Sequence, residues 1–138
     1  MATGKDAAVV KETLLVRLGG EPALRAAVDL FYDKLLQQKS LFKFFKGVSM
    51  DRLKGHQYDF MAIAFTEIPN DLNVLELIRT KHSRMIDDLG MDENHFDVVA
   101  GQFVETLKEL KVRQAEMDEA VAVVLPLRAA FMKEEEAP

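Results

Sequence analysis

The chain has 138 residues, 18 Lys and Arg against 23 Asp and Glu, a formal net charge of −5 and no Cys. This length predicts one domain over 1–138, and the absence of Cys excludes disulfides, thiolate chemistry and iron–sulfur clusters. The charge balance gives no basic footprint for nucleic acid, the first residues lack the apolar core of a secretory signal, and the longest apolar run, 120–127, is too short to span a membrane. We therefore expect a protein of the cytoplasm or an organelle stroma that is neither secreted nor membrane-bound.

Helical periodicity dominates the chain, and no stretch shows the strict alternation of a half-buried strand, so an all-α protein is expected. The signals are glycines after helices, caps before them and apolar residues at helical spacing. A first short helix is predicted to end at Leu18, a second to run from Glu21 to about Gln38, and a third to span about 50–65 after the cap Ser49. A fourth helix carries His82 and ends at Gly90. A fifth begins at Asp92, and the last includes Met117 to Leu125. Residues 1 to about 10 and 133–138 are expected to be frayed ends.

His82 lies on the apolar stripe of its predicted helix, which is formed by Leu75, Ile78, Met85 or Ile86, and Leu89. A buried imidazole needs a hydrogen-bond partner. The ring is either a structural side chain bonded to a nearby carbonyl, or a metal ligand that also gives its second nitrogen to an iron atom. With three His and no Cys, a metal centre would depend on one or two imidazoles, which suits haem iron better than a closed zinc site.

His56 and Gln57 interrupt the apolar face of the helix over 50–65. Two buried polar side chains cost free energy unless something inside the protein needs them. The alternative is that His56 lies at the edge of this face and reaches solvent. The third histidine, His95, falls in the first turn of its helix and is expected at the surface.

Several aromatic and basic residues are compatible with a planar cofactor but also have simpler explanations. The Tyr32 ring can point into the core while its hydroxyl needs a partner. Phe44 and Phe45 are ordinary core residues or a flat aromatic surface for a cofactor. Lys46 and Lys54 are normally solvated, although near a haem edge they could pair with propionates. The sequence contains no G-x-S-x-G nucleophile motif, no phosphate-binding glycine loop, no H-E-x-x-H zinc-binding motif and no calcium-binding loop.

Four segments taken together closely resemble the group I truncated haemoglobins, over roughly residues 14–128. They are LGGEPALRAAVDLFYDKLL, FKFFKGVSMDRLKGHQYDFMAIAF, KHSRMIDDLGMDENHFDVVAGQFVETLKEL and AVAVVLPLR. Each motif alone is weak, but the glycine pair, the Phe-Tyr pair, the aromatic turn, the His-Gln pair and the HFD helix start occur in the family's order and spacing.

The resemblance implies a two-over-two helical sandwich that encloses one b-type haem, with His82 as the proximal ligand of the iron. It also implies that Phe31 and Phe45 are aromatics at the haem side and that Tyr32 and Gln57 are distal hydrogen-bond donors. The implied pocket residues are Leu53, Lys54, Phe60, Met61, Ile78, Phe96 and Val99.

His56 occupies the position at which some cyanobacterial and algal relatives supply a sixth ligand to the iron, so the resemblance implies six-coordination here. Two departures stand beside it. FTEIPNDLNV replaces the family's second glycine pair, which leaves the entry into the His82 helix less defined. Some relatives bond a late histidine covalently to a haem vinyl, but no histidine follows His95, so this linkage is not expected.

The resemblance implies a monomeric haem protein that binds O2, NO and CO. A histidine latch on the iron weakens oxygen storage and favours redox or reactive-nitrogen chemistry, including a nitric oxide dioxygenase activity that needs a reductase. A simple oxygen carrier or sensor and a haem-free helical interaction module remain as alternatives.

Overall fold

A glycine pair sets the path of the chain between its first two helices. In the computed structural model, which describes residues 12–132, α1 covers Leu14–Arg17 and α2 covers Gly20–Leu35. Gly19, the N-cap of α2, has φ +116°, and Gly20 has φ +78°. These are left-handed values that side chains rarely adopt, so the prediction of a helix end before the glycine pair is confirmed.

The remaining described elements are also helical. They are a 3₁₀ turn Lys39–Leu41, α3 Phe42–Phe45, α4 Met50–Ala64, α5 Val74–Lys81, α6 Ser83–Leu89, α7 Glu93–Glu109, α8 Gln114–Val124 and a 3₁₀ segment Leu125–Phe131. No strand occurs within 12–132, which confirms the all-α prediction. None of these helices is long and apolar enough to cross a membrane. The two segments expected to fray lie largely or wholly outside the described range.

Side-chain caps begin the helices that carry the candidate site. The Ser49 hydroxyl accepts the Arg52 N–H at 3.3 Å, and the Asn73 side chain accepts the Glu76 N–H at 3.1 Å. Asp92 caps α7 by accepting the backbone N–H groups of Asn94 and His95 at 2.9 and 3.4 Å. Each cap satisfies a helix N–H that would otherwise have no partner.

His95 corrects the expectation of a surface histidine. Its Nδ1 accepts the Asp92 backbone N–H at 3.1 Å, so the ring completes a reciprocal cap with Asp92. The ring also lies edge-on to Phe44 at 4.9 Å, and the side chain is only 20% exposed. A histidine in a first helical turn is therefore half-buried here because it serves the cap.

The helices α2, α4, α7 and α8 form the frame. Helix α2 packs against α4 and α7, and α7 packs against α8. Their contacts enclose the larger of two groups of buried residues, which includes Leu24, Val28, Phe103 and Leu107. The smaller group is Phe96, Ala130 and Phe131, with Ile78 and Ile86 packed against it. These two groups, called the larger and smaller clusters below, divide the core.

The helix predicted to carry His82 as far as Gly90 is two helices. His82 lies between α5 and α6 with φ −108° and ψ 11°, outside helical values. Its backbone N–H still donates to Ile78 O at 3.1 Å, and its carbonyl accepts from Ile86 N–H at 2.9 Å. The chain therefore turns for one residue at the histidine and then resumes the helix. The predicted end at Gly90, with φ +75°, is confirmed.

Replacing Gly19 with Ala should lower the free energy of unfolding by about 1–3 kcal/mol, because the new Cβ would lie 2.7 Å from the Ala23 Cβ in a backbone conformation unfavourable to alanine. Chemical denaturation of the haem-loaded protein measures the change. Gly101→Ala is the matched control, because nothing lies within 4 Å of the added Cβ and helical alanine should raise stability by about 0.5–1 kcal/mol. Equal effects of the two substitutions would contradict the prediction.

Candidate functional site

The imidazole of His82 has one nitrogen committed to the backbone. Its Nδ1 lies 2.8 Å from Ile78 O. Because a carbonyl oxygen can only accept, the proton of the neutral ring must be on Nδ1, and Nε2 carries the lone pair. Nε2 makes no hydrogen bond with any residue of 12–132. The ring therefore has the tautomer that a metal ligand bound through Nε2 requires.

The surroundings of His82 keep the ring neutral. Burial lowers its pKa, and the hydrogen bond to Ile78 opposes this in part. Phe131 lies edge-on to the imidazole with ring centroids 5.2 Å apart, and Phe96 contacts Phe131 at 5.5 Å. His82 is thus joined to the smaller cluster, where an apolar environment disfavours imidazolium.

Charged contacts attach the 3₁₀ segment Leu125–Phe131, and with it Phe131, to the helices around His82. The Arg128 guanidinium donates to both carboxylate oxygens of Asp97 on α7, at 2.8 and 3.1 Å. Arg79 on α5 donates to Ala129 O at 3.0 Å. The guanidinium of Arg128 also lowers the pKa of Asp97. The fork-like pairing fixes the segment whose phenyl ring contacts His82.

On α2, Tyr32 is 4% exposed, and its hydroxyl donates to Gln57 Oε1 on α4 at 3.2 Å. Burial raises the pKa of Tyr32 above its ordinary value, so the hydroxyl keeps its proton. The Gln57 NH2 group donates to no residue of the described chain. Two helices therefore place a protonated phenol beside an amide that still has donors available.

Aromatic rings hold Tyr32 in place. Phe31 lies edge-on to Tyr32 at 5.3 Å and to Phe103 at 5.9 Å. Phe45, from the short helix α3, is edge-on to Tyr32 at 6.3 Å. Edge-to-face packing of this kind restricts rotation of the tyrosine ring. The hydroxyl oxygen therefore has a fixed position, while its O–H bond can still rotate.

The other predicted pocket residues are divided between the two clusters. Leu53, Phe60, Met61 and Val99 belong to or pack against the larger cluster that contains Tyr32, and Met61 is 5% exposed. Phe96 is a member of the smaller cluster, and Ile78 packs against it. The chain thus places the phenol–amide pair on one cluster and the His82 ring on the other.

Two candidates make no hydrogen bond or ring contact with the Tyr32–Gln57 pair or the His82 ring. His56 is exposed, and no described residue makes a hydrogen bond with its ring. The Lys54 Nζ lies 3.4 Å from Asp29 Oδ1, so this lysine already has a carboxylate partner. Its predicted pairing with a haem propionate would require an exchange of partners.

Sequence reasoning missed Phe131, Asp97 and Arg128. All three act through contacts between segments distant in the sequence, which local periodicity does not reveal. A usable signal was present, because the run LRAAF after the last helix keeps apolar residues at short spacing. Extending the predicted core beyond Arg128 would have included Phe131.

The donor set fits haem iron. His82 offers one neutral nitrogen within apolar surroundings, and Tyr32 and Gln57 supply polar hydrogens without a competing charge. No group of three or more His, Asp or Glu among residues 12–132 could hold a metal ion. A planar cofactor with two apolar faces matches side chains that are divided between two clusters.

A family model for bacterial-like globins matches residues 13–133. The chain belongs to the bacterial-like globin family. It is 35% identical over 111 residues to the group 1 truncated haemoglobin GlbN of Synechocystis sp., which covers 80% of this chain and 88% of that protein.

Solved structures agree. The 2/2 haemoglobin of Synechococcus sp. has 33% identity and a TM-score of 0.77, covering 88% of this globin and 98% of that chain. For THB4 of Chlamydomonas reinhardtii the identity is 40% and the TM-score 0.76, covering 89% and 97% of the respective chains. The resemblance to truncated haemoglobins is confirmed, and the globin has the two-over-two fold, haem as its cofactor and small gaseous ligands such as O2.

Proposed function

We propose that this globin holds haem through His82 and uses it for redox chemistry of O2 and nitric oxide. The observation that supports this most is the Nδ1 hydrogen bond to Ile78, which leaves Nε2 as the only nitrogen able to take iron. Haem iron, when bound, supplies a position for a diatomic ligand and a ferrous–ferric couple. The balanced reaction joins NO, O2 and one electron from a reductase to give nitrate.

Tyr32 and Gln57 are the residues that discriminate among ligands. A phenol that donates a hydrogen bond in a pocket without water stabilises a ligand with partial negative charge, and O2 gains more from this than CO does. The raised pKa of Tyr32 keeps its donor proton. The free donors of Gln57 assist, and the edge-on contacts of Phe31 and Phe45 hold the hydroxyl oxygen in place.

His56 is proposed as a latch that closes the iron position. Successive residues of a helix point about 100° apart, so His56 and Gln57 cannot face the same point while α4 stays in place. Closing the latch requires α4 to move, and this movement strains the Tyr32–Gln57 hydrogen bond of 3.2 Å. In this structure the hydrogen bond is formed and His56 is exposed, which is the arrangement expected with the latch open.

An oxygen carrier or sensor without turnover is the second candidate. The same Tyr32–Gln57 pair supports it, because a stronger hold on O2 also serves storage. The latch separates the two candidates, since a closed fraction lowers the apparent affinity for O2 in proportion. Steady consumption of NO and O2 with an electron donor supplied tests turnover, because a single mixing of the oxygenated protein with NO gives nitrate once and leaves the iron ferric. Nitrate formed in large excess over haem identifies the dioxygenase, and one nitrate per haem identifies the carrier.

His82→Ala should abolish stoichiometric haem retention or leave a loosely held haem with an altered spectrum, because no other imidazole joins the smaller cluster. Absorption spectra of the ferrous and carbonmonoxy forms measure this. His95→Ala is the control, since it removes an imidazole that caps α7 and packs against Phe44, away from the His82 ring. Unchanged spectra for His82→Ala would overturn the ligand assignment.

His56→Leu should convert the ferric protein at neutral pH from low-spin to high-spin and accelerate CO binding to the ferrous protein, because the competing ligand is lost. Asp59→Leu, at an exposed position one turn along α4, controls for the added apolar side chain. A wild-type ferric protein that is already high-spin would show that His56 is a solvent-facing residue.

Tyr32→Phe should accelerate oxygen release by roughly 5- to 150-fold, the equivalent of about 1–3 kcal/mol for one lost donor, while CO release changes little. The phenyl ring preserves the packing against Phe31 and Phe45. Dissociation rates are measured in a His56→Leu background, so that the latch does not interfere. Oxygen release at the unsubstituted rate would make Tyr32 a packing residue.

A further inference from the structure

Cations without carboxylate partners are concentrated between the end of α2 and the middle of α4. Lys39, Lys43, Lys46 and Arg52 are all exposed, and none forms an ion pair with a described residue. Six other cations of the described range, Arg17, Lys34, Lys54, Lys108, Arg113 and Arg128, each lie within 4 Å of a carboxylate. Arg25, Lys81, Arg84 and Lys111 also lack such a partner among the described residues, but they are spread over other parts of the chain. The positive charge of the first four side chains is therefore not neutralised by a carboxylate of the described chain and can attract an acidic partner.

Few acids lie close to this charge. Asp51 is the only acidic residue between positions 36 and 58. Two further acids, Asp87 and Asp88, are exposed on α6, the helix that contacts α3, and neither forms an ion pair with the four cations. A local excess of positive charge thus stands on a chain whose formal net charge is −5. Such an asymmetry orients an approaching acidic protein.

Apolar side chains lie among these cations. Phe42 is 50% exposed and Val48 is 39% exposed. Lys39 lies three residues before Phe42 and Lys46 four residues after it, so exposed cations flank the exposed ring on both sides along the chain. An apolar centre with a charged rim is the usual composition of a transient protein interface.

The same segment reaches the candidate site. Phe45 follows the exposed Phe42 by one helical turn, and its half-buried ring contacts Tyr32 at 6.3 Å. On α4, Arg52 directly precedes Leu53, which packs against the larger cluster. The segment that carries the exposed cations thus also supplies side chains that pack against the phenol and the larger cluster. A protein bound to this segment would lie close to the candidate site.

We infer that the face formed by Lys39, Phe42, Lys43, Lys46, Val48 and Arg52, here called the basic face, docks an acidic one-electron donor of the iron–sulfur or flavin class. This rests on the proposed redox function. The donor loses one electron, which reduces ferric haem iron to ferrous, and no bond forms or breaks. Association of this kind is brief and steered by charge rather than dependent on a large buried area.

A protein fits the basic face better than a membrane or nucleic acid does. Its apolar centre is one phenyl ring on a four-residue helix and one valine just beyond that helix, far smaller than the apolar face of a helix that lies in a membrane surface. The net charge of −5 repels extended polyanions, whereas a small acidic protein can approach one face alone.

The test uses the haem-loaded carbonmonoxy protein and two probes, a plant-type [2Fe–2S] ferredoxin and a flavodoxin, with binding measured by calorimetry at low and high salt. At least one probe should bind, and added salt should weaken it. Lys39→Glu combined with Lys43→Glu should weaken binding on the order of tenfold at low salt and remove most of the salt dependence. Phe42→Ala should weaken it without changing the salt dependence.

Lys108→Glu combined with Lys111→Glu is the control for charge, with the same change of charge on exposed residues at the end of α7 and just beyond it, where Lys108 pairs with Glu105 at the surface. Equal loss in both double variants, or no binding of either probe, would overturn the proposal. So would binding only to phosphatidylserine vesicles or to an oligonucleotide. Haem retention, CO binding and reduction by dithionite are measured on every variant. Failure of these in the unsubstituted protein would count against the proposed function, whereas loss of docking alone counts only against the basic face.

Discussion

The hydrogen bond from His82 Nδ1 to Ile78 O is the interaction on which the rest of the site depends. At 2.8 Å it fixes the tautomer and the rotation of the ring, and the break between α5 and α6 lets the ring leave the helical path. Burial keeps the imidazole neutral. In the proposed role of His82 as the ligand of haem iron, a ring held in this way needs little further adjustment, so little ordering entropy would be lost on binding.

The division of the core into two clusters gives the cofactor a structural role as well. One cluster holds Tyr32 and Met61, and the other holds Phe96, Phe131 and the His82 ring. Haem bound between them would add contacts to both, and because it would bind the folded chain, it would raise the free energy of unfolding by an amount that grows with the logarithm of its affinity. The Arg128–Asp97 pair maintains the smaller cluster from outside.

Local signals in the sequence predicted most of the fold, and long-range contacts account for what it missed. Ser49, Asp92 and the glycines mark helix ends through their own side chains or backbone freedom, so their neighbours suffice to predict them. The break at His82 was not predictable in this way, since it coincides with contact with Phe131, almost fifty residues further along the chain. His95 was misplaced because its ring acts as a cap acceptor, an unusual use of histidine.

The Tyr32–Gln57 hydrogen bond links ligand discrimination to the proposed latch. In this structure the Tyr32 hydroxyl donates its only hydrogen to Gln57 Oε1, so the O–H bond must rotate away from Gln57 before it can donate to a ligand. The amide oxygen then loses a partner inside a half-buried pocket, which costs free energy unless Gln57 turns its own donors toward the ligand. Movement of α4 that brings His56 inward carries Gln57 with it. Opening the latch and assembling the phenol–amide pair are therefore one conformational change, and a ligand held by that pair stabilises the open state.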